Sequence, residues 1–217
     1  MYEVQPIRDR DKLRSIAITL KKRNEKYYIM FILGCESGLR ISDILPLRVH
    51  DVRHFDVDKI YERKTHKKRF VYLSDEVKEI IYDYIDDNKM VDHDYLIPSR
   101  KHRPDGAVRP IGKVQAYKVI REAGEDNRVW GLGTHSMRKT FGYHYYKMTG
   151  DIVTLMKILN HCDPAVTLRY IGIEEEEIKQ SLKHFNLFKK EDLVAEKPDK
   201  MAKKILAHKK SPQKMIV

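Results

Sequence analysis

The stretch THSMRKTFGYHYY, residues 134–146, decides how the rest of the chain is read. It sets His135 and Arg138 three positions apart at the start of a run that fits a helix, and follows them with Tyr143, Tyr145 and Tyr146. Residues three apart are neighbours on one helical face. A helix N-terminus adds unpaired backbone N–H groups and the positive end of the helix dipole, which together favour an anion. The stretch is therefore either a phosphate-handling site with aromatic packing behind it, or a polar helix entrance and nothing more. What the remaining boxes supply decides between the two.

The bulk composition favours the first. The 217 residues carry 43 Lys and Arg against 32 Asp and Glu, a formal net charge of +11. That balance suits a polyanion, because each phosphate neutralised by Lys or Arg releases condensed counterions. The longest apolar stretch, YYIMFILGC at 27–35, is nine residues, and a bilayer span needs about 20, so no membrane segment is expected. The N-terminus MYEVQPIRDRDK is charged and has no apolar signal core, which argues against export. Cys35 and Cys162 are too few for a disulfide framework and are expected to be packing residues in a reducing cytoplasm.

Periodicity outlines a mainly α protein with a small antiparallel β-sheet, an α+β class. RDKLRSIAITLKKR and EKYYIMFILGCESG read as helices, the second apolar enough to be central and ending near Gly38. In DVDKIYERKTHKKRFVYLS, Val57, Ile60 and Tyr61, then Phe70, Tyr72 and Leu73, flank a basic turn and predict a hairpin with Lys64 at its first edge. SDEVKEIIYDYIDDNK predicts an amphipathic helix capped by Ser74. SRKHRPDGAVRPIG reads as a loop. Helices follow in GKVQAYKVIREAG, in 134–148 with Thr134 as cap, in GDIVTLMKILN with Asp151 as cap, and in EEEEIKQSLKHFNLF. Residues 1–188 form one domain. From Lys189 onward nine Lys meet four acidic residues, so 189–217 is a basic C-terminal tail.

The polar residues then suggest a chemistry. Arg40 follows Gly38 where the apolar helix breaks, and a new helix starts with Ser42 and Asp43. An arginine there keeps its stem on the core and offers a planar fork for bidentate phosphate contact; a surface salt bridge to Asp43 or Asp51 is the alternative. In LNHCDPAVTLRYIG, His161 precedes Tyr170 by nine positions across a turn marked by Asp163 and Pro164. Such a turn brings a tyrosine hydroxyl near an imidazole, and a tyrosine so placed can act as a covalent nucleophile. Packing is the alternative for Tyr170, as for most tyrosines.

In order and spacing, SGLRISDILPL, KTHKKRFVYL, THSMRKTFGYHYY and LNHCDPAVTLRYIG resemble the boxes of the tyrosine recombinases, or phage-type integrases, over about residues 2–188. The resemblance implies a site-specific DNA recombinase, its catalytic domain mainly helical with a small antiparallel sheet. Tyr170 would attack the scissile phosphate to give a 3′-phosphotyrosyl link and a free 5′-hydroxyl. Arg40 and Arg138 would clamp the non-bridging oxygens, and His135 would bond the same phosphate and assist proton transfer. Lys64 matches the lysine that protonates the leaving oxygen, with Lys67 and Lys68 close by. His161 supports the phosphate or the tyrosine, and Asp43 backs the arginine region. No cofactor or metal is required. Double-stranded DNA is the implied partner, with four protomers on two duplexes, weak association without DNA, and a C-terminal element within 185–207 docking onto a neighbour. The setting implied is the cytoplasm of a bacterium, with the gene bacterial or phage-borne.

Two positions depart from the family pattern. Lys139 stands where a histidine usually follows the second arginine, which bears on how the arginine region is oriented, and Asn160 stands where glycine usually precedes the third-box histidine. The family's N-terminal core-binding domain, which closes a clamp on DNA, is expected to be absent from this sequence, whether as a fragment or as a natural short form, so binding is expected to be weak and salt-sensitive. A topoisomerase-like strand-relaxing enzyme uses the same chemistry, and a non-catalytic DNA-binding or regulatory module is the reading from another class. A dinucleotide fingerprint fails because Gly131 and Gly133 lack a third glycine and a preceding strand. A metal site from His135, His144 and His161 lacks ligand spacing, and a metal nuclease built on Asp56 and Asp58 is equally thin. Tyr143, Tyr145 and Tyr146 share a helix that must bury an apolar face, so packing is their expected role. The loop from Arg100 to Arg109 is the expected extra DNA contact.

Overall fold

The computed structural model describes residues 4–54, 60–61, 68–69, 71–100 and 106–185, without the side chains of residues 60, 61, 68, 69, 175, 181 and 184. The chain divides into two units, Met1–Glu176 and Glu177–Val217. The first is mainly helical, and its helices form where local signals demand them. α1 (Arg10–Arg23) is capped by Asp9, whose carboxylate accepts from the N–H groups of Asp11 and Lys12, and Lys21, Lys22 and Arg23 sit against the negative end of its dipole. α2 (Glu25–Ser37) starts at Asn24 and stops at Gly38, which takes a left-handed conformation with φ 62°. Ile29, Met30, Phe31 and Leu33 are buried on α2, as befits a central helix packed by α1, α5 and α7.

Short pieces follow. α3 (Ile41–Ile44) and α4 (Val49–Arg53) are one turn each. β1 (Ile60–Tyr61) pairs antiparallel with β2 (Lys68–Arg69), Ile60 opposite Arg69 and Tyr61 opposite Lys68. The expected hairpin is thus represented by a two-residue ladder, while Val57, Phe70 and the turn with Lys64 lie outside the described residues. Tyr72 and Leu73 follow the ladder as irregular chain. α5 (Asp75–Asp87) begins at the predicted Ser74 cap, and α6 (Lys113–Asp126) begins after Gly112.

α7 (Thr134–Thr149), α8 (Ile152–Leu159) and α9 (Pro164–Ile171) carry the remaining boxes, and α10 (Ile173–His184) follows. Asp151 caps α8 as expected, its Oδ1 accepting from the N–H of Thr154 at 2.9 Å. The cap of α7 is Gly133 rather than Thr134: the chain is extended at Gly133 and already helical at Thr134, and the Ser136 hydroxyl takes the Gly133 N–H at 3.2 Å. α10 ends at His184, short of the predicted Phe188. Cys162 is exposed at the α8–α9 turn rather than packed; Cys35 is half-buried, and burial pushes its thiol well above the ordinary range. Among the described residues no helix is long and apolar enough to cross a membrane.

Two apolar clusters hold this unit together. The larger takes in Ile16 and Leu20 of α1, Leu33 of α2, Ile85 of α5, Ile120 of α6 and Met137 of α7. The smaller is Tyr143, Leu155, Leu159, Ile171 and Ile173, between α7, α8, α9 and the start of α10. Glycines set the close approaches of α7 to its neighbours. A Cβ at Gly34 would meet the Met137 sulfur at 2.8 Å, and one at Gly142 would meet Ile171 Cγ2 at 2.7 Å.

Candidate active site

Arg138 sits in the second turn of α7 and is 1% exposed. A guanidinium so deep must have its donors engaged. Nη1 donates to the carbonyl of Gly38 at 2.7 Å, and Nη2 donates to the carbonyl of Leu159 at 2.6 Å. Both acceptors lie at helix C-termini, where carbonyls lack an intrahelical partner and the dipole favours a cation. Arg138 therefore ties the end of α2 to the end of α8. Arg40 lies two residues beyond the first of these carbonyls and His161 two residues beyond the second, so the bridge brings both of those segments to α7. Two of the five N–H donors of the fork serve the scaffold in this way.

The segment after α8 is held by its own chemistry. Asn160 closes α8 in a left-handed conformation with φ 53° and ψ 48°. Glycine reaches that region without strain and asparagine more readily than most residues, which accounts physically for Asn160 at a position where the family favours glycine. Asp163 then caps α9, accepting from the N–H of Val166, and Pro164 occupies the first turn. Thr167 is fully buried; its hydroxyl donates to the Asp163 carbonyl at 2.8 Å and stands 3.1 Å from His161 Nδ1. With the hydroxyl proton directed to that carbonyl, Nδ1 must be the donor to Oγ1. The neutral ring then keeps Nε2 as its acceptor.

Tyr170 lies half-buried near the end of α9. The His161 ring meets it edge-on, with centroids 5.2 Å apart and planes at 89°. Lys139, 4% exposed, places its Nζ over the Tyr170 ring, 5.0 Å from the centroid. Arg138, Lys139, His161 and Tyr170 thus converge where α7 meets the α8–α9 turn. His135 is exposed on the first turn of α7, one turn before Lys139. Arg40 is half-buried and leads into α3, where Asp43 is buried and accepts from the Ser42 hydroxyl at 3.4 Å. Asp51, the alternative partner suggested for Arg40, caps α4 instead, its Oδ2 accepting from the Arg48 N–H at 2.8 Å. Lys64 and Lys67 fall outside the described residues, and of Lys68 only its place in β2 is described.

The other tyrosines of α7 pack. Tyr143 is buried in the smaller cluster, and Tyr145 and Tyr146 pack against it. Burial, then a hydrogen bond with Glu176, raises the Tyr143 phenol above its ordinary value. His144 turns Nε2 to the carbonyl of Ile7 at 2.9 Å. Beyond this site, Arg100 and Arg109 line a pocket of about 500 Å³ at the N-terminal end of α6, together with Lys26. Lys26 is buried and donates to the Pro98 carbonyl at 2.9 Å; burial, then the charge of Arg100, lowers its pKa. Residues 101–105 of the same loop lie outside the described set.

Sequence reasoning placed Gly38 as the end of the apolar helix but did not foresee that its left-handed turn delivers a carbonyl to Arg138, and it did not single out Thr167, which orients His161. The glycine at the end of an apolar helix was a signal for the first. For the second, a threonine four residues after a cap-forming aspartate is a weak one.

Residues 9–177 match the Phage integrase family. The chain is 43% identical over 185 residues to "Probable integrase/recombinase YoeC" of Bacillus subtilis (strain 168), covering 85% of this chain and 98% of that protein. The crystal structure of XerA recombinase is similar at 17% identity with a TM-score of 0.62, covering 87% of this chain and 66% of that one. That of XerH site-specific recombinase bound to palindromic difH substrate, a post-cleavage complex, is similar at 14% identity with a TM-score of 0.60, covering 84% of this chain and 54% of that one. At those identities the two structures speak for the fold. The chain spans about two thirds and about half of their lengths.

Proposed function

The chain belongs to the phage integrase family, and from that footing we propose that it is a site-specific DNA recombinase, cleaving and rejoining DNA through Tyr170. The observation that carries the reading is the convergence of a buried arginine, a lysine, an oriented histidine and a half-buried tyrosine where α7 meets the α8–α9 turn. In strand cleavage the Tyr170 Oη–phosphorus bond forms as the bond from phosphorus to the 5′ oxygen breaks. The phenol loses its proton, and the departing oxygen gains one.

Arg40 and Arg138 hold the non-bridging oxygens as charge builds on them, a role suited to planar forks anchored on the scaffold. His135, exposed on the first turn of α7, adds a hydrogen bond to the same phosphate, beside the donors of the helix N-terminus. Lys64 is assigned the protonation of the leaving 5′ oxygen, and the ladder at Ile60–Tyr61 and Lys68–Arg69 supports a small antiparallel sheet in the fold. His161 supports the tyrosine, its ring oriented through Nδ1 on Thr167. Asp43 sits behind the arginine region. These side chains supply the positive charge that other phosphoryl-transfer enzymes take from metal ions, so the proposal includes no cofactor.

Double-stranded DNA is the proposed substrate, consistent with the charge of +11. The basic pocket of Lys26, Arg100 and Arg109 is a further phosphate contact. Assembly is proposed as four protomers on two duplexes, with a segment within 185–207 docking onto a neighbour and weak association without DNA. Residues 1–188 form the catalytic domain and 189–217 a basic tail, in a protein that acts in the cytoplasm.

A suicide substrate, nicked near the crossover so that the cleaved strand diffuses away, tests the reading. A denaturation-resistant adduct is expected with the protein and is expected to be absent with Tyr170→Phe. DNA binding without an adduct, across a pool of attachment sequences, would instead support a regulatory DNA-binding module.

A further inference from the structure

Lys139 is a lysine side chain almost entirely buried in the protein. It is 4% exposed in the second turn of α7, next to Arg138, and its ammonium stands over the face of the Tyr170 ring at 5.0 Å from the centroid. A cation within about 6 Å of a ring centroid is attracted by the π face, more strongly where water is excluded. His161 meets the same ring at a right angle from the α8–α9 turn. The phenol is thus held by two side chains from two separate elements.

The geometry points to Lys139 as a positioning residue for the nucleophile: its charge, seated on the Tyr170 ring, fixes the ring in place and favours the phenolate over the phenol. The inference rests on Tyr170 being the nucleophile. A neutral phenol offers the ammonium only its quadrupole, whereas a phenolate offers a full charge partly delocalised into the ring. Attraction to a fixed cation therefore grows on ionisation, and a nearby opposite charge favours the charged form. In this scheme Lys139 forms no covalent bond and moves no proton. It raises the fraction of tyrosine ready to attack.

Among the described residues, the other ionisable groups near the site, Arg40, His135 and Arg138 among them, are the same in every Lys139 variant, so a comparison of variants isolates this charge. Tyr145 and Tyr146 of α7 pack in the same cluster and bring no cationic group to it. Arg138, bonded to the carbonyls of Gly38 and Leu159, keeps its charge in every Lys139 variant. Arg169, on α9 itself, pairs with Glu174 at 3.2 Å. His161 acts in the same sense as Lys139 only when protonated, so the measurement is made above the histidine range.

The full chain, labelled with ¹³C at tyrosine Cζ, is titrated by NMR from about pH 8 to 11, the range that brackets the ordinary tyrosine value. Loss of one resonance in Tyr170→Phe assigns the signal. In Lys139→Met the Tyr170 midpoint is expected to rise by about one pH unit, a tenfold change in acidity, and Lys139→Arg is expected to restore it. On the nicked substrate, Lys139→Met should form adduct about tenfold more slowly near neutrality. That deficit should close as pH rises through the phenol range. An unmoved Tyr170 midpoint in folded Lys139→Met overturns the inference. So does a rate loss equal at every pH, which marks a purely structural side chain. Absence of any adduct with the unaltered protein defeats the recombinase reading instead, and the titration still decides whether Lys139 tunes Tyr170.

Discussion

Replacing Arg138 by methionine should cost stability before any DNA is added. The guanidinium serves two buried carbonyls, at 2.7 Å and 2.6 Å, from the two ends it joins. A buried acceptor left without its donor costs about 1–3 kcal/mol, so the pair amounts to roughly 2–6 kcal/mol. Methionine also removes a buried charge, and relief of that desolvation returns part of the loss, leaving about 2–4 kcal/mol. In a domain of this size each kcal/mol moves the melting temperature by about 2–4 °C, so the expected fall is roughly 5–15 °C. Arg138→Lys keeps a charge but cannot span both carbonyls, and should melt between the two. The assay is a thermal melt by calorimetry without DNA, run beside adduct formation on the nicked substrate. Adduct lost with a melting temperature within about 2 °C of the unaltered protein would refute the reasoning. In that case the carbonyl bridge adds nothing to the scaffold, and the arginine works on the phosphate alone.

Asn160→Gly should leave stability within about 1 kcal/mol of the parent in urea titrations, because φ 53° suits glycine. Asn160→Val, forced into the same left-handed region, should lose about 1–3 kcal/mol; equal stability of the two variants would show that the backbone there is not constrained. Glu176 makes stability depend on acid. Burial works to raise its carboxyl, but hydrogen bonds and charge from Tyr143 and Lys147 outweigh that and hold it below the ordinary value; the Lys147 pair measures 3.3 Å. A depressed folded-state value contributes stability above the ordinary carboxylate range and loses it as pH falls through the depressed one. Urea midpoints should therefore drop on acidification, and Glu176→Gln should flatten that drop; parallel pH curves for the two proteins would contradict it.

The elements that could be read from sequence are those whose boundaries are local. α1 and α2 match the predicted stretches because Asp9, Asn24 and Gly38 fix their ends through contacts within a few residues. The α7 start shifted by one residue, since the hydroxyl that caps it belongs to Ser136 and reaches back to Gly133. α4 escaped notice because five residues are too few to show a period. In the site, box order pointed to Arg138, His161 and Tyr170, which the fold brings together where α7 meets the α8–α9 turn. It did not give the partners of Arg138, because those are backbone carbonyls and every residue has one. Lys139 was legible only as a departure from pattern. Its place over Tyr170 depends on how closely α7 and α9 approach, which Gly142 sets by leaving room for Ile171.

The two apolar clusters differ greatly in size, and Tyr170 rests on the smaller one. Segments with few buried apolar contacts open at lower free energy than the rest of a fold, so α8 and α9 form the part of this unit that loosens first. Such loosening would draw the Leu159 carbonyl from Arg138 and the Tyr170 ring from Lys139 in one movement. In the proposed mechanism the same groups serve cutting and resealing, so a loosened molecule loses both abilities together. On the proposed reading, damage by heat or mutation that precedes cleavage then yields a silent protein.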